Sequence, residues 1–398
     1  MKNNNSQKNI PEGWTRKRLG GVCSFANGKA HENCIIEGGE YIVVNSKFVS
    51  SNGLRYKTTN KLLSPLSQGD VAMVMSDIPH GKAIAKCYLV KENNKFTLNQ
   101  RIGVLRSEQI DSSFLYYLLS RNKYFLSFDD GVNQTNLRKD DILDCPIVFP
   151  SLPEQKMVVS MLNVWERAIE KLTKKIKIKK NIKQGLMREL LTGKKRLRGF
   201  TNKWETIKLE DAANFRRGSF PQPYGLSKWY DDSNGAPFIQ VYDVDNNFQL
   251  KRKTKRKISS AAQRMSVFIP SGSVILTIQG SIGRIAITNY DAYLDRTLLF
   301  FQSFKKPISK VFFMYAVFLL FEIEKNKADG GTIKTITKET LNKFIIRITS
   351  LEEQTAIANI LIASDAEIQK LEKKLKIIRD QKKYLLNNLI TGTIRTKA

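Results

Sequence analysis

Histidine is nearly absent from this chain of 398 residues, which has only His31 and His80. Both fall in the first half, so a matched pair of catalytic histidine bases is excluded. Cysteine is scarce too. Cys23, Cys34, Cys87 and Cys145 lie 11, 53 and 58 residues apart. No pair has zinc-ligand spacing, and free thiols in a reducing, cytoplasmic setting are expected instead of a disulfide framework. The longest apolar run, Val311–Phe321, has eleven residues, well short of the ~20 that span a bilayer. The opening MKNNNSQKNIPEG has no apolar core of a secretory signal. Phosphate-loop glycines are missing as well, since Arg188 stands where a G-x-x-x-x-G-K motif ending at Gly193-Lys194 needs its first glycine. No G-x-G-x-x-G follows a strand-like run, so neither a nucleotide nor a methyl donor is expected as cofactor.

Two further patterns resemble chemistry without completing it. Asp144…Glu154-Gln155-Lys156 has the order of a nuclease D…E-x-K, but Glu-Gln recurs at Glu353-Gln354 followed by Thr355. The pair is read as helix initiation, with the carboxylate facing the N-terminal dipole. Pro221-Gln-Pro-Tyr224 is read as a loop, its proline pair being interrupted. No catalytic residue and no metal ligand is therefore assigned.

What the chain has is positive charge and repetition. Sixty-six Lys and Arg against 37 Asp and Glu leave +29, a field that favours a polyanion, nucleic acid first. Ser151–Arg198 aligns without a gap on Ser350–Lys397 at an offset of 199, with 18 of 48 positions identical. Gly13-Trp14…Leu19 is answered by Lys203-Trp204…Leu209. The chain is thus two copies of one unit, each a globular segment followed by a long helix. The expected domains are 1–151, 152–199, 200–349 and 350–398.

Within the globular segments, β-branched runs predict strands at Tyr41–Asn45, Val71–Met75 and Ala83–Leu89, matched by Phe238–Tyr242, Val274–Ile278 and Ile285–Thr288. Helices follow near Phe114–Phe125 and Val311–Lys325. The repeated stretches carry heptads. One runs through Ile357, Leu361, Ile368, Leu375, Lys382 and Leu389. The other runs through Val158, Leu162, Ile169 and Ile176 and then drifts to Ile182, Leu186 and Leu190. Each seam needs a helical partner, and the tethered copy is the nearest one. The fold class is α+β: two α+β domains separated by two long helices packed as an antiparallel coiled coil, a pseudo-twofold internal repeat. Thr192-Gly193 and Thr391-Gly392 are the expected helix stops.

Candidate nucleic-acid contacts are polar residues at matching places in both copies. The segment Lys251, Arg252, Lys253, Thr254, Lys255, Arg256, Lys257 holds six cations in seven residues, a density that calls for a polyanion. Base readers are expected at strand ends: Asn45 and Lys47 against Tyr242 and Val244, and Asp77, His80 and Lys82 against Gln279, Ser281 and Arg284. Gly28 with Lys29 is matched to Gly218 with Arg216 and Arg217.

Together these features resemble the specificity (S) subunit of type I restriction–modification systems along essentially the whole chain. The similarity rests on W-x(4)-L opening each unit and on Gly280-Ser-Ile-Gly283-Arg. It rests further on Phe149-Pro-Ser-Leu-Pro-Glu-Gln155 and Ser350-Leu-Glu-Glu-Gln354 feeding long helices, and on Leu190-Leu-Thr-Gly193 and Leu389-Ile-Thr-Gly392 ending them. Glu352 departs from the usual proline, and Gly81-Lys82 departs from the G-x-x-G. The resemblance implies two target-recognition domains that each read half of a split, asymmetric double-stranded DNA site, with paired helices between them. It implies a non-catalytic subunit that recruits two adenine-methyltransferase (M) subunits and motor–nuclease (R) subunits. The M subunits are expected on exposed helix faces around Trp165–Lys180 and Asp365–Ile378. The alternative is a stand-alone pseudo-dimeric DNA-binding repressor or architectural protein.

Overall fold

The computed structural model describes residues 10–79, 81–327 and 336–396; His80 lies outside them. The chain forms two compact units. One comprises the residues up to Leu172 together with those from Lys374 onward, the other Thr173 to Lys373. Each unit therefore owns one globular part and a stretch of both long helices, Leu152–Leu190 and Leu351–Ile390.

The globular parts share one plan. In the first, Thr15–Arg18 pairs antiparallel with Pro146–Phe149. A four-stranded sheet runs Ser24–Asn27, Ile102–Arg106, Val71–Val74, Cys87–Leu89, and a three-stranded one runs Lys57–Thr59, Tyr41–Val44, Phe96–Leu98. In the second, Glu205–Lys208 pairs with Ile345–Ile348. The larger sheet runs Ala213–Arg217, Leu298–Phe304, Val274–Thr277, Ile285–Ile287. The other gains a fourth strand: Arg256–Ile258, Ala236–Ile239, Ala292–Leu294, Val267–Ile269. Val71–Val74 and Val274–Thr277 are buried on both faces, which is why they read as unbroken rather than alternating apolar runs.

Two expected elements are shorter than their sequences suggest. Ala83–Lys86 is loop, because the Asp77 carboxylate accepts from the amides of Ala83 (2.6 Å) and Ile84 (3.1 Å) and pulls the chain out of extended form. The helix predicted over Phe114–Phe125 breaks after Leu119. Arg121 there takes a left-handed φ of 59° and sends its amide to the Ala85 carbonyl at 2.7 Å.

Inside each unit the two helix stretches run antiparallel. In the first unit Val158, Val159 and Leu162 share a core with Leu385, Leu386 and Leu389. In the second, Met187, Leu190 and Leu191 share one with Ile357, Ala358 and Leu361. The start of one helix thus lies on the end of the other, as the paired heptads require. Ile182 is not on this seam, being half exposed. Lys183 takes the inward position and pairs with Asp365 at 2.5 Å, Tyr315 donating to the same carboxylate at 2.6 Å. The same arrangement recurs in the first unit, where Lys382 pairs with Glu166 and lies 5.5 Å from the Tyr117 ring. Burial holds the Lys183 ammonium below the usual lysine range, opposed by Asp365.

The helix ends are tied by a second repeated device, which adds to the expected role of the Glu-Gln pair. Glu353, fully buried, accepts both Nε and Nη2 of Arg196 at 2.8 Å and the Thr349 hydroxyl at 2.7 Å. Glu154 accepts Nε and Nη2 of Arg395 at 2.8 and 3.0 Å. The neighbouring glutamines accept the backbone amides of Asp111 (2.8 Å) and Ser309 (3.0 Å) at the starts of the globular helices. Gly193 and Gly392 end the helices at φ of +68° and +70°. A side chain there would collide with Trp204 at 2.8 Å or with Pro11 at 2.5 Å.

Removing one partner of a buried pair leaves a desolvated charge. Arg196→Ala strands the fully buried Glu353 and lowers stability by about 3 kcal/mol. Arg395→Ala leaves the less buried Glu154, with its charge nearer water, and costs clearly less. Urea denaturation of the two variants checks the order; equal losses contradict it.

Candidate nucleic-acid interface

The structure moves the correspondence between the two copies by a few residues. Val44 pairs in parallel with Leu98, and Ile239 with Leu294. Asn45 is therefore equivalent to Gln240, and Lys47 to Tyr242, a shift of two from the expected matching. The left-handed position Gly283, with φ of +83°, answers Ala85 at φ of 54° and not Gly81. Both send their amide to the end of the central strand, at Thr277 and Val74. Arg284 is then equivalent to Lys86. Arg284 donates to the Val244 carbonyl at 3.0 Å and Lys86 to the Ser50 carbonyl at 2.7 Å. These cations hold the loop that follows the strand, so Arg284 is engaged in positioning.

Several expected base readers are likewise occupied by their own loops. Asn45 caps the short helix Ser46–Ser50 by accepting the Phe48 amide at 2.9 Å. Asp77 turns onto three amides, those of Ile78, Ala83 and Ile84. Lys29 follows Gly28, whereas Arg216 and Arg217 precede Gly218 on the strand, so the cations are not equivalent. Lys29, Lys47 and Lys82 are exposed, as are Arg216, Arg217 and Ser281. His31 is buried between the Lys29 carbonyl and the Thr97 hydroxyl. Asp144 and Glu154 have different cations, Arg18 and Arg395. Among the described residues no group of three acidic, Cys or His side chains could hold a metal ion.

The second unit brings many candidates together. Arg216, Arg217 and Gln279 line one concavity with Lys338. Arg217 donates to the Arg296 carbonyl, and the Arg296 guanidinium lies 5.3 Å from the Tyr224 ring. Tyr224 leads through Gln240 to Tyr242. Lys251 and Lys255 place their ammoniums 5.6 and 5.1 Å from the Tyr242 ring. Arg256 stacks on Tyr230 at 3.8 Å and pairs with Asp232, and Lys257 donates to the Ser233 carbonyl. Arg252 and Lys253 are exposed and make no ion pair among the described residues. Cations interleaved with aromatic faces suit phosphates and bases together.

Asp243 underlies this surface and was not foreseen. Fully buried, it accepts the amides of Gln240 and Lys255 at 3.0 Å each. Burial pushes its carboxyl upward against the pull of those amides and of Lys251 and Lys255. Gln240, Tyr224 and Arg296 were missed as well. The signal for Gln240 was present, since it follows the strand Ala236–Ile239 as Asn45 follows Tyr41–Val44.

The model of the type I restriction modification DNA specificity domain matches residues 11–180 and again 201–379. The chain belongs to this family, as a DNA-specificity component and not a catalytic one. The type I restriction enzyme MjaVIII specificity subunit of Methanocaldococcus jannaschii is 23% identical over 98% of this chain and 94% of its own length. A chain from a study of complex assembly and conformational transition of the type I R-M system shares the fold. Its TM-score is 0.64 at 18% identity, covering 97% of this chain and 99% of that one. The type I system S subunit of M. genitalium gives 0.59 at 17% identity, covering 96% of each. No described helix is long and apolar enough to cross a membrane.

Replacing Lys251, Arg252, Lys253 and Lys255 by alanine together should weaken DNA binding for all sequences alike. The slope of log affinity against log salt should flatten by about 0.9 for each phosphate that is no longer neutralised. Anisotropy titrations across a salt series measure it; an unchanged slope excludes this segment from phosphate binding.

Proposed function

We propose that the chain reads a split, asymmetric DNA site, one half with each globular part, and recruits two adenine-methyltransferase subunits and motor–nuclease subunits to it. The observation that carries this reading is one frame used twice with different surface residues at equivalent positions. Asn45 is set against Gln240 and Lys47 against Tyr242, while the ion pairs Glu154–Arg395 and Glu353–Arg196 recur at the same places in the repeat. Equal frames with unequal readers suit unequal half-sites. The proposed contacts are Lys29, Asn45, Lys47, Lys82, Arg216, Arg217, Tyr242, Gln279, Ser281 and the basic run from Lys251 to Lys257. Asp77 and Arg284 act by shaping loops. The methyltransferase subunits dock on exposed helix faces, among them Lys171, Lys174 and Lys177.

Genome-wide adenine-methylation mapping with and without this gene tests the reading. Loss of a single split motif supports it. An unchanged methylome in cells expressing the methyltransferase contradicts it and leaves a stand-alone DNA-binding protein.

A further inference from the structure

In the second unit, a chain of hydrogen bonds starts at a buried carboxylate and ends at an exposed phenol. Asp295 is 1% exposed. One of its oxygens takes the amide (2.9 Å) and the hydroxyl of Thr297; the other takes the Tyr224 hydroxyl at 2.5 Å. A carboxylate only accepts, so the single Tyr224 proton points to Asp295. The Tyr224 oxygen can then only accept, and it does so from Gln240 Nε2 at 2.6 Å. This fixes which way round the Gln240 amide lies, since its NH2 must face Tyr224. Its carbonyl faces Tyr242, whose hydroxyl donates to it. Both phenolic protons are committed inward, and the direction of every bond follows from the one before. Burial pushes the Tyr242 phenol up to about 12, and Tyr224 is raised by burial and by Asp295. Both hydroxyls therefore keep their protons at neutral pH.

We infer that Tyr242 reads a base as an acceptor, and so selects a base with an exocyclic amino group in the major groove, adenine N6 or cytosine N4; the inference rests on the site-reading role proposed above. Its proton is used within the protein, so only lone pairs face outward. Tyr242 is 39% exposed, and the ammoniums of Lys251 and Lys255 beside its ring supply phosphate contacts next to the reading point. Among the described residues the first unit has no such chain. Asn99 stands at the position of Asp295, Asn45 uses its oxygen on Phe48, and Lys47 at the Tyr242 position offers only donors. Equivalent positions in the two units thus ask opposite polarity of the DNA. The Arg296 guanidinium lies over the Tyr224 ring at 5.3 Å.

The test uses the full chain assembled with its methyltransferase subunits. A duplex library with randomised half-sites first yields the selected site. Adenines and cytosines of the half-site read by the second unit are then replaced one at a time by analogues lacking the amino group. For the wild type, one replacement lowers affinity roughly two- to tenfold. Tyr242→Phe loses a similar factor on the natural site and nothing further from that replacement, as a shared contact requires. Tyr224→Phe keeps the reading phenol but frees the Gln240 amide to turn over, so sensitivity to the missing amino group falls. If Tyr242→Phe weakens natural and analogue duplexes by equal factors, or weakens neither, the inference is overturned. If the wild type selects no site at all, the site-reading role itself is overturned.

Discussion

The fold depends on one exchange: a glutamate at the start of each repeated helix is held by an arginine from the end of the other. Glu353 meets Arg196, and Glu154 meets Arg395, each through two hydrogen bonds of 2.8 to 3.0 Å. A buried ion pair adds little net stability compared with well-packed apolar residues, but breaking it is costly. Its effect is to fix partner and register. Apolar residues at heptad spacing would tolerate slippage or a second copy of the chain; a fully buried carboxylate tolerates only the position where its arginine arrives. Lys183 with Asp365 and Lys382 with Glu166 add the same constraint nearer the middle of the helices. A polar group at a seam position commonly specifies register at some cost in stability.

With the frame fixed, the loops are left to differ. The strand carrying Asn45 and the strand carrying Gln240 hold the same place in their sheets, yet one ends in a helix cap and the other in a directed chain to Asp295. The basic run beyond Gln240 stands where the first unit carries only Arg55 and Lys57, and buried Asp243 anchors it by accepting the Lys255 amide. In the proposed reading, phosphate attraction and base discrimination sit on neighbouring residues of one loop system. Buried polar groups beneath them set which way the exposed ones point.

Much of this was legible in the sequence. The offset of 199 gave the repeat, the heptads gave the two helices, and Gly193 and Gly392 gave their ends. The strands Val71–Val74 and Val274–Thr277 were visible because full burial demands unbroken apolar runs. The ion pairs were less visible, since the partners lie 157 and 241 residues apart, although Arg196 and Arg395 occupy identical places in the repeat. Matching the loops failed for a physical reason. Matching Lys82 to Arg284 sets Gly81 against Gly283 by residue type, but the left-handed position in the first unit is Ala85. Its carbonyl and that of Ile84 are held by Arg121, so the surrounding contacts and not a glycine set the turn. Asp295 was hidden because its partner Tyr224 lies 71 residues earlier.

Hydrogen exchange on the intact chain tests the central claim most directly, because each unit is held to include stretches of both helices. Leu375–Ile390 should open together with Pro146–Phe149 and the first unit's sheet, while Leu351–Ile368 opens with the second. Destabilising the first unit alone should speed exchange at the end of the C-terminal helix and leave its beginning protected. If the whole helix Leu351–Ile390 instead opens as one piece with the second unit, the reciprocal ties do not organise the fold.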